Sequence, residues 1–291
     1  MSVPQTLARQ AARRPSIPRP TSTLGKHLVL ILVGLAVAYP FYYMITTGLK
    51  SFAEATQSPP TFWPEELHLE NFTEAWEKAP WPRFFLNTVF IATVVTVGEL
   101  FTSVLAAYAF AQMRFKGKAV VFTILLATYM MPAEATLIPN FVIMSRRYLN
   151  LYDTYLAQIL PFLTTVFAIF LLRQQFLGVP AELRDAARID GAGHLRCLWS
   201  VVLPISVPTL VTLTVFSFLG NWNAFQWPLI MTNRPEIQPI QVGLNAFRGE
   251  TSSQYHLLMA AAAFVVAPVV VLYLVAQRYL VQGVARTGIR G

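Results

Sequence analysis

The chain has 291 residues, 55% of them hydrophobic and 12% charged, with a net charge of +8 and a mean hydropathy of +0.50. Soluble domains carry about 25% charged residues, so this composition excludes a soluble globular enzyme and points to several bilayer spans. The single cysteine, Cys197, excludes an internal disulfide and any cysteine-rich zinc or iron–sulfur centre.

The first 26 residues are polar and basic, with Pro15, Pro18 and Pro20, and predict a disordered tail ahead of an uncleaved first span. A charge at the bilayer centre costs at least about 2.5 kcal/mol, so stretches free of charge mark the spans. Six are predicted, over residues 28–49, 84–113, 119–140, 154–173, 205–230 and 257–278, making residues 27–282 an all-α, polytopic membrane domain. Pro40 predicts a kink in the first. The second holds one charge, Glu99, and the third also one, Glu134. The fifth carries Asn221, Trp222, Asn223 and Trp227 toward its far end, and residues 283–291 form a short tail.

With the N-terminus inside, 15 of the 22 Lys and Arg residues fall on one face and 7 on the other. The positive-inside bias then places both termini in the cytoplasm. The pI near 9.8 is accounted for by this asymmetry, and a nucleic-acid partner drops out.

Between spans four and five lies a charged cytoplasmic insert, residues 180–204. Pro180 suits a first helical turn, Glu182 and Asp185 favour the positive end of the helix dipole, and Asp190-Gly191 is a stop signal. A short helix is predicted over 181–190. A second follows, with Leu195, Leu198, Trp199, Val202 and Leu203 as an amphipathic stripe able to lie on the membrane surface. Ala186 and Ala187 leave the first helix a slim face that another protein could approach, edged by Arg184, Asp185 and Arg188.

The run Asp185-Ala186-Ala187, then Gly191, then Leu203-Pro204, resembles the cytoplasmic signature of inner-membrane permease subunits of bacterial ATP-binding-cassette importers. Asp185 stands where that family has Glu, keeping the charge with a side chain one methylene shorter. The stretch from Ala106 to Lys118, Met131-Pro132-Ala133-Glu134, Ile138-Pro139, Asn221-Trp222-Asn223 with Trp227-Pro228, and the final Gly288-Ile289-Arg290-Gly291 resemble the carbohydrate-uptake branch. The wording is close to subunits of glycerol-3-phosphate importers and recurs in permeases for neutral oligosaccharides.

The resemblance implies a coupling helix at Arg184, Asp185, Ala186, Ala187, Arg188, Asp190 and Gly191 that docks on an ATPase dimer. It also implies a C-terminal ATPase contact at Arg286, Gly288 and Arg290, which a simple positive-inside anchor would equally explain. The implied partners are a homologous second permease and an extracytoplasmic solute-binding protein. No Gly-x-x-x-x-Gly-Lys-Ser/Thr loop occurs in the chain, so no cofactor is expected here, and ATP with magnesium falls to the ATPase subunits. The four histidines have no metal-ligand spacing, and no Gly-x-Ser-x-Gly occurs, so no metal or catalytic site is expected.

Glu99 is expected to face a neighbouring helix or a cavity rather than lipid. Glu134 either faces a cavity or, if the helix leaves the membrane near Pro132, caps it at the interface. Asn221, Asn223, Gln226 and Trp227 suit sugar hydroxyls and ring faces, or else hydrogen bonds between helices with an aromatic belt. The loops around 50–83, with Trp63, Trp76, Trp81 and the acidic run Glu65 to Glu77, and around 232–256, with Arg234, Glu236 and Arg248, are read as docking surface for the binding protein, the alternative being a solvated cap. The competing functional classes are a stand-alone secondary transporter or channel, which needs no docking helix, and a structural scaffold, which leaves the Asn221 cluster unexplained.

Overall fold

Backbone in lipid has no water to bond, so a spanning segment must satisfy its own amides, and this chain does so with helices. The structure, a computed structural model, describes residues 21–247 and 254–287. The elements run α1 (Thr21–Gly48), α2 (Phe52–Thr56), α3 (Glu70–Glu77), α4 (Trp81–Gln112), α5 (Lys118–Tyr129), α6 (Ala133–Met144), α7 (Tyr155–Ile159) and α8 (Val166–Leu177). They continue with α9 (Ala181–Ile189), α10 (His194–Cys197), α11 (Leu203–Trp222), α12 (Gln226–Met231), α13 (Ile240–Gly243) and α14 (Tyr255–Thr287).

From Thr21, the first described residue, the chain is already helical, so residues 21–26 of the expected tail belong to α1. The rest of that tail lies outside the described residues. Leu28, Leu30, Leu32 and Leu35 are exposed, as befits a helix apolar all round that meets lipid or another chain. At its far end α1 closes on α14, where a Cβ on Gly48 would sit 3.1 Å from the Ala260 backbone nitrogen. Small residues set such close approaches in membranes. Gly48→Leu is therefore expected to lower the steady-state level of the protein in membranes several-fold, read by immunoblot, while Gly34→Leu, at an open position, leaves it unchanged.

Helix α4 is the central member, packed against both α8 and α11. The third predicted span is not one straight helix: α5 and α6 meet at 98°. The break falls at Met130–Pro132, because Pro132 has no N–H and its ring pushes the preceding residue out of the helical region. A gentler bend of 40° separates α7 and its short 3₁₀ extension from α8.

Around the fifth predicted span, helix begins earlier and ends sooner than residues 205–230. It runs unbroken over His194–Trp222 and includes a π-helical turn at Leu198–Val202. Pro204 removes the α-helical partner of the Ser200 carbonyl, and the wider turn just before it accommodates the change in register. Pro228 does the same to the Ala224 carbonyl, so the helix stops at Trp222 and restarts as α12. The expected amphipathic stripe divides: Leu198, Val202 and Leu203 are buried, whereas Leu195 and Trp199 are exposed. The segment thus leads into α11 with one side packed on the core and Leu195 and Trp199 facing outward.

Two apolar cores hold the two ends. One joins Val104 and Ala107 of α4, Leu172 and Phe176 of α8, and Leu198 and Val202 of the π turn. The other, at the opposite end, joins Trp81 and Phe84 of α4 to Phe247 and to Leu257, Ala260 and Ala261 of α14.

Candidate functional site

Helix α9 is an exposed strut tied to the bundle on one side. Glu182 lies in its first turn and Arg188 in its last, each matching the dipole. Its C-terminus is a Schellman motif: Gly191 N–H donates to the Arg188 carbonyl at 3.0 Å and Ala192 N–H to the Ala187 carbonyl at 2.9 Å. Gly191 carries the motif at φ +78°, where a Cβ is disfavoured.

Asp185, Ala186, Arg188 and Asp190 are exposed, and Ile189 is 87% exposed. Asp185 and Arg188 approach to 3.6 Å, a surface pair worth little by itself. Ala187 turns inward and packs on the core of α4, α8 and the π turn. The Arg184 guanidinium donates to Gln112 Oε1 at the end of α4, and Gln112 Nε2 donates to the Phe176 carbonyl of α8 at 2.6 Å. Tyr108 of α4 and His194 of α10 are 3.3 Å apart, hydroxyl to Nδ1. Helix α9 is thereby linked to α4 and, through Gln112 and the shared core, to α8 and the π turn that leads into α11. Arg286 falls in the last turns of α14, and Gly288 and Arg290 lie outside the described residues.

Midway along the bundle, α4, α7, the start of α8 and α11 surround a cavity of about 370 Å³. Glu99 and Asn221 line it, together with Thr88, Gln158, Thr164 and Ser217. The Ser217 hydroxyl donates to Glu99 Oε2 at 2.5 Å and lies 3.2 Å from the Thr96 hydroxyl. Asn221 Nδ2 donates to the Ser217 carbonyl one turn back, at 2.8 Å. Gln158 is 2% exposed; its Nε2 donates to the Ile237 carbonyl, while its Oε1 has no partner among the described residues.

The other polar residues singled out from sequence sit elsewhere. Trp227 is buried, donates Nε1–H to the Ala157 carbonyl at 2.9 Å and packs edge-on against Phe162. Asn223 and Gln226 are exposed in the break before and at the start of α12; Asn223 Oδ1 accepts from Gln241. Glu134 is exposed in the first turn of α6, a favourable place for a carboxylate beside a helix start. Sequence reasoning missed Ser217, Thr88 and Gln158. Ser217 carries a signal, being four residues before Asn221 and so on the same helical face.

At the end of the bundle away from α9, the two long loops are only partly surface. Trp63 and Trp76 are exposed, but Trp81 is fully buried. Its ring stacks on Phe247 with 16° between planes, and its Nε1–H donates to the Ala75 carbonyl at 2.7 Å. Trp81 therefore belongs to the core and not to the docking surface expected of it, because its helix start is wedged under α14. Glu54 is also buried, accepting from the Thr61 hydroxyl and the Glu65 N–H.

In the second loop Arg234 pairs with Asp153 at 2.9 Å, and the Glu236 carbonyl accepts from Arg83 and Asn87. Burial alone would raise the pKa of Asp153, but the N–H groups of Asn233 and Arg234 and the Arg234 guanidinium hold it below the usual carboxylate range. Arg248 lies outside the described residues.

Comparison with known proteins gives one answer. Residues 100–286 match the model of the family described as binding-protein-dependent transport system inner membrane component. The chain is 32% identical over 265 residues to the sn-glycerol-3-phosphate transport system permease protein UgpE of Yersinia pestis bv. Antiqua (strain Antiqua), covering 88% of this chain and 94% of that one. It is 32% identical over 267 residues to the probable ABC transporter permease protein YurM of Bacillus subtilis (strain 168), covering 90% and 87%. Among solved structures it superposes on a chain of a bacterial ABC transporter that imports the acidic polysaccharide alginate, with a TM-score of 0.78, 27% identity, and coverage of 91% of this chain and 99% of that one.

Proposed function

Because the chain belongs to the family of binding-protein-dependent transport system inner membrane components and is a multi-pass permease subunit of an ATP-binding-cassette importer, we propose that it forms half of the pathway for a sugar or sugar-like solute, an oligosaccharide or glycerol-3-phosphate. A homologous permease closes the open side of the central cavity. Two ATPase subunits bind ATP and magnesium, and α9 docks on them through its exposed Asp185, Ala186, Arg188 and Asp190, while Arg184 and Ala187, expected from sequence on the docking face, instead tie the helix to the bundle and Gly191 fixes its end. The C-terminal residues Arg286, Gly288 and Arg290 reach the same pair. Both termini face the cytoplasm, consistent with the positive-inside bias, and the loops at the other end receive a solute-binding protein through exposed groups such as Trp63 and Trp76.

The observation that carries this reading is α9 itself: an exposed helix whose inward face is bonded and packed to α4, α8 and the lead-in to α11. Such a helix is a lever. When the ATPases close, α9 moves as a rigid body, and its links pass the motion to the helices that wall the cavity. The reading is tested by reconstituting the chain with its permease partner, ATPases and binding protein in proteoliposomes. Uptake of radiolabelled sugar is expected only with ATP and all partners present. Flux through the purified chain alone, without ATP, would identify a stand-alone transporter or channel instead.

A further inference from the structure

We infer that the solute is an uncharged sugar rather than a phosphorylated or uronic one, and that Glu99 makes the selection; this rests on the importer reading and narrows its solute. Among the described residues the cavity is lined by one carboxyl group, that of Glu99, together with the hydroxyls of Thr164 and Ser217 and the amides of Gln158 and Asn221; the Thr88 hydroxyl on its wall is already spent on the Phe84 carbonyl and the Ile240 N–H. No Lys, Arg or His is among the described residues that line it. Between Phe84 and Gln112, α4 contains no basic residue, and neither does α11 from Leu203 to Trp222. Phosphate and carboxylate are ordinarily gripped by Arg or Lys, singly or in bidentate pairs, and this half of the pathway offers neither.

One feature does favour an anion. Helix α8 begins at the cavity wall, with Thr165 at its N-cap, and a helix start carries about half a positive charge. An ionised Glu99 brings a full negative charge to the same cavity and outweighs it. Protonated, Glu99 becomes a hydroxyl donor, and the lining still holds no cation. An entering phosphate or uronate would meet a carboxyl group that either repels it or fails to balance its charge.

An uncharged sugar fits the same groups. Its hydroxyls both donate and accept, Glu99 offers acceptor positions beyond the one Ser217 fills, and Gln158 Oε1 is a buried acceptor with no partner among the described residues. The Phe162 ring, also on the wall, suits the C–H face of a pyranose. The relative named for sn-glycerol-3-phosphate and the structural neighbour that imports alginate handle anions.

The test uses the complete importer with its own binding protein in proteoliposomes. The probes are radiolabelled maltose, trehalose and raffinose, against sn-glycerol-3-phosphate and an alginate trisaccharide. ATP-driven uptake of at least one uncharged sugar and of neither anion is expected. Glu99→Gln, which keeps the shape and an acceptor for Ser217 but removes the charge, is expected to lower that uptake about tenfold at equal protein level. Uptake of either anion, or unchanged or raised uptake by Glu99→Gln, overturns the inference while leaving sugar import standing. Uptake of none of the five solutes, with ATP still hydrolysed, removes the sugar reading and this inference with it.

Discussion

An importer carrying Gly191→Pro is expected to hydrolyse ATP and move almost no solute. Gly191 sits at φ +78°, and proline holds φ near −65°. The substitution also removes the N–H that closes the Schellman motif on the Arg188 carbonyl. Helix α9 would keep its sequence and charges but lose its fixed angle to α10, so closure of the ATPases would no longer be passed to the bundle. The readout is solute moved per ATP hydrolysed in proteoliposomes, expected to fall roughly tenfold or more, since a displaced coupling element acts on the whole cycle. Gly191→Ala is the control. It strains the same position by about 1–2 kcal/mol yet retains the N–H, so a large part of the coupling should survive. Equal coupling in the proline variant and the unsubstituted chain, at equal protein level, would show that α9 is not the lever.

Trp81→Ala should be the most damaging single truncation for stability, costing about 3–5 kcal/mol. The side chain is fully buried, stacks on Phe247, meets the edges of Phe84 and Phe264, and is the donor to the Ala75 carbonyl. Removing it opens a void where α3, α4 and α14 converge and leaves that carbonyl without its partner. The membrane level of the chain should fall several-fold by immunoblot, and detergent-extracted protein should melt at lower temperature. Trp81→Phe, which keeps a ring but not the N–H, should fall between. A normal level and normal melting for Trp81→Ala would mean this core does not hold the outer end together.

Much of this was legible in the residues. Helix α9 could be drawn to within one residue because Pro180, Glu182 and Asp190-Gly191 are local signals that need no partner. The cost of charge in lipid predicts six spans; the described residues hold four helices long and apolar enough to cross, and six if each bent pair, α5 with α6 and α7 with α8, counts as one. The breaks were half visible: Pro132 and Pro228 were plain, but a proline in a helix can kink it or end it, and neighbouring helices decide which. Pro132 thus marks where the third span can leave its course, and the 98° between α5 and α6 comes from packing.

The cavity was the least legible part. Glu99 stood out as a charge among apolar residues, but Thr88 and Gln158 are ordinary until packing brings α4 and α7 against the same space. Conversely, Trp227 and Trp81 look like binding or docking aromatics, and only the structure shows each indole N–H spent on a backbone carbonyl. Composition records which residues are polar, and helix rotation decides what they face.

The central claim is that α9 is the surface the ATPase grips. Ile189, at 87% exposed, is the place to ask, using Ile189→Cys in a chain whose one native thiol has been removed by Cys197→Ala. In membranes holding the assembled importer, a short bifunctional thiol cross-linker should join position 189 to the ATPase subunit, with a yield that changes when the ATPases are trapped closed with ATP and vanadate. Cross-linking of position 189 to the solute-binding protein, or to nothing while uptake proceeds normally, would contradict the account.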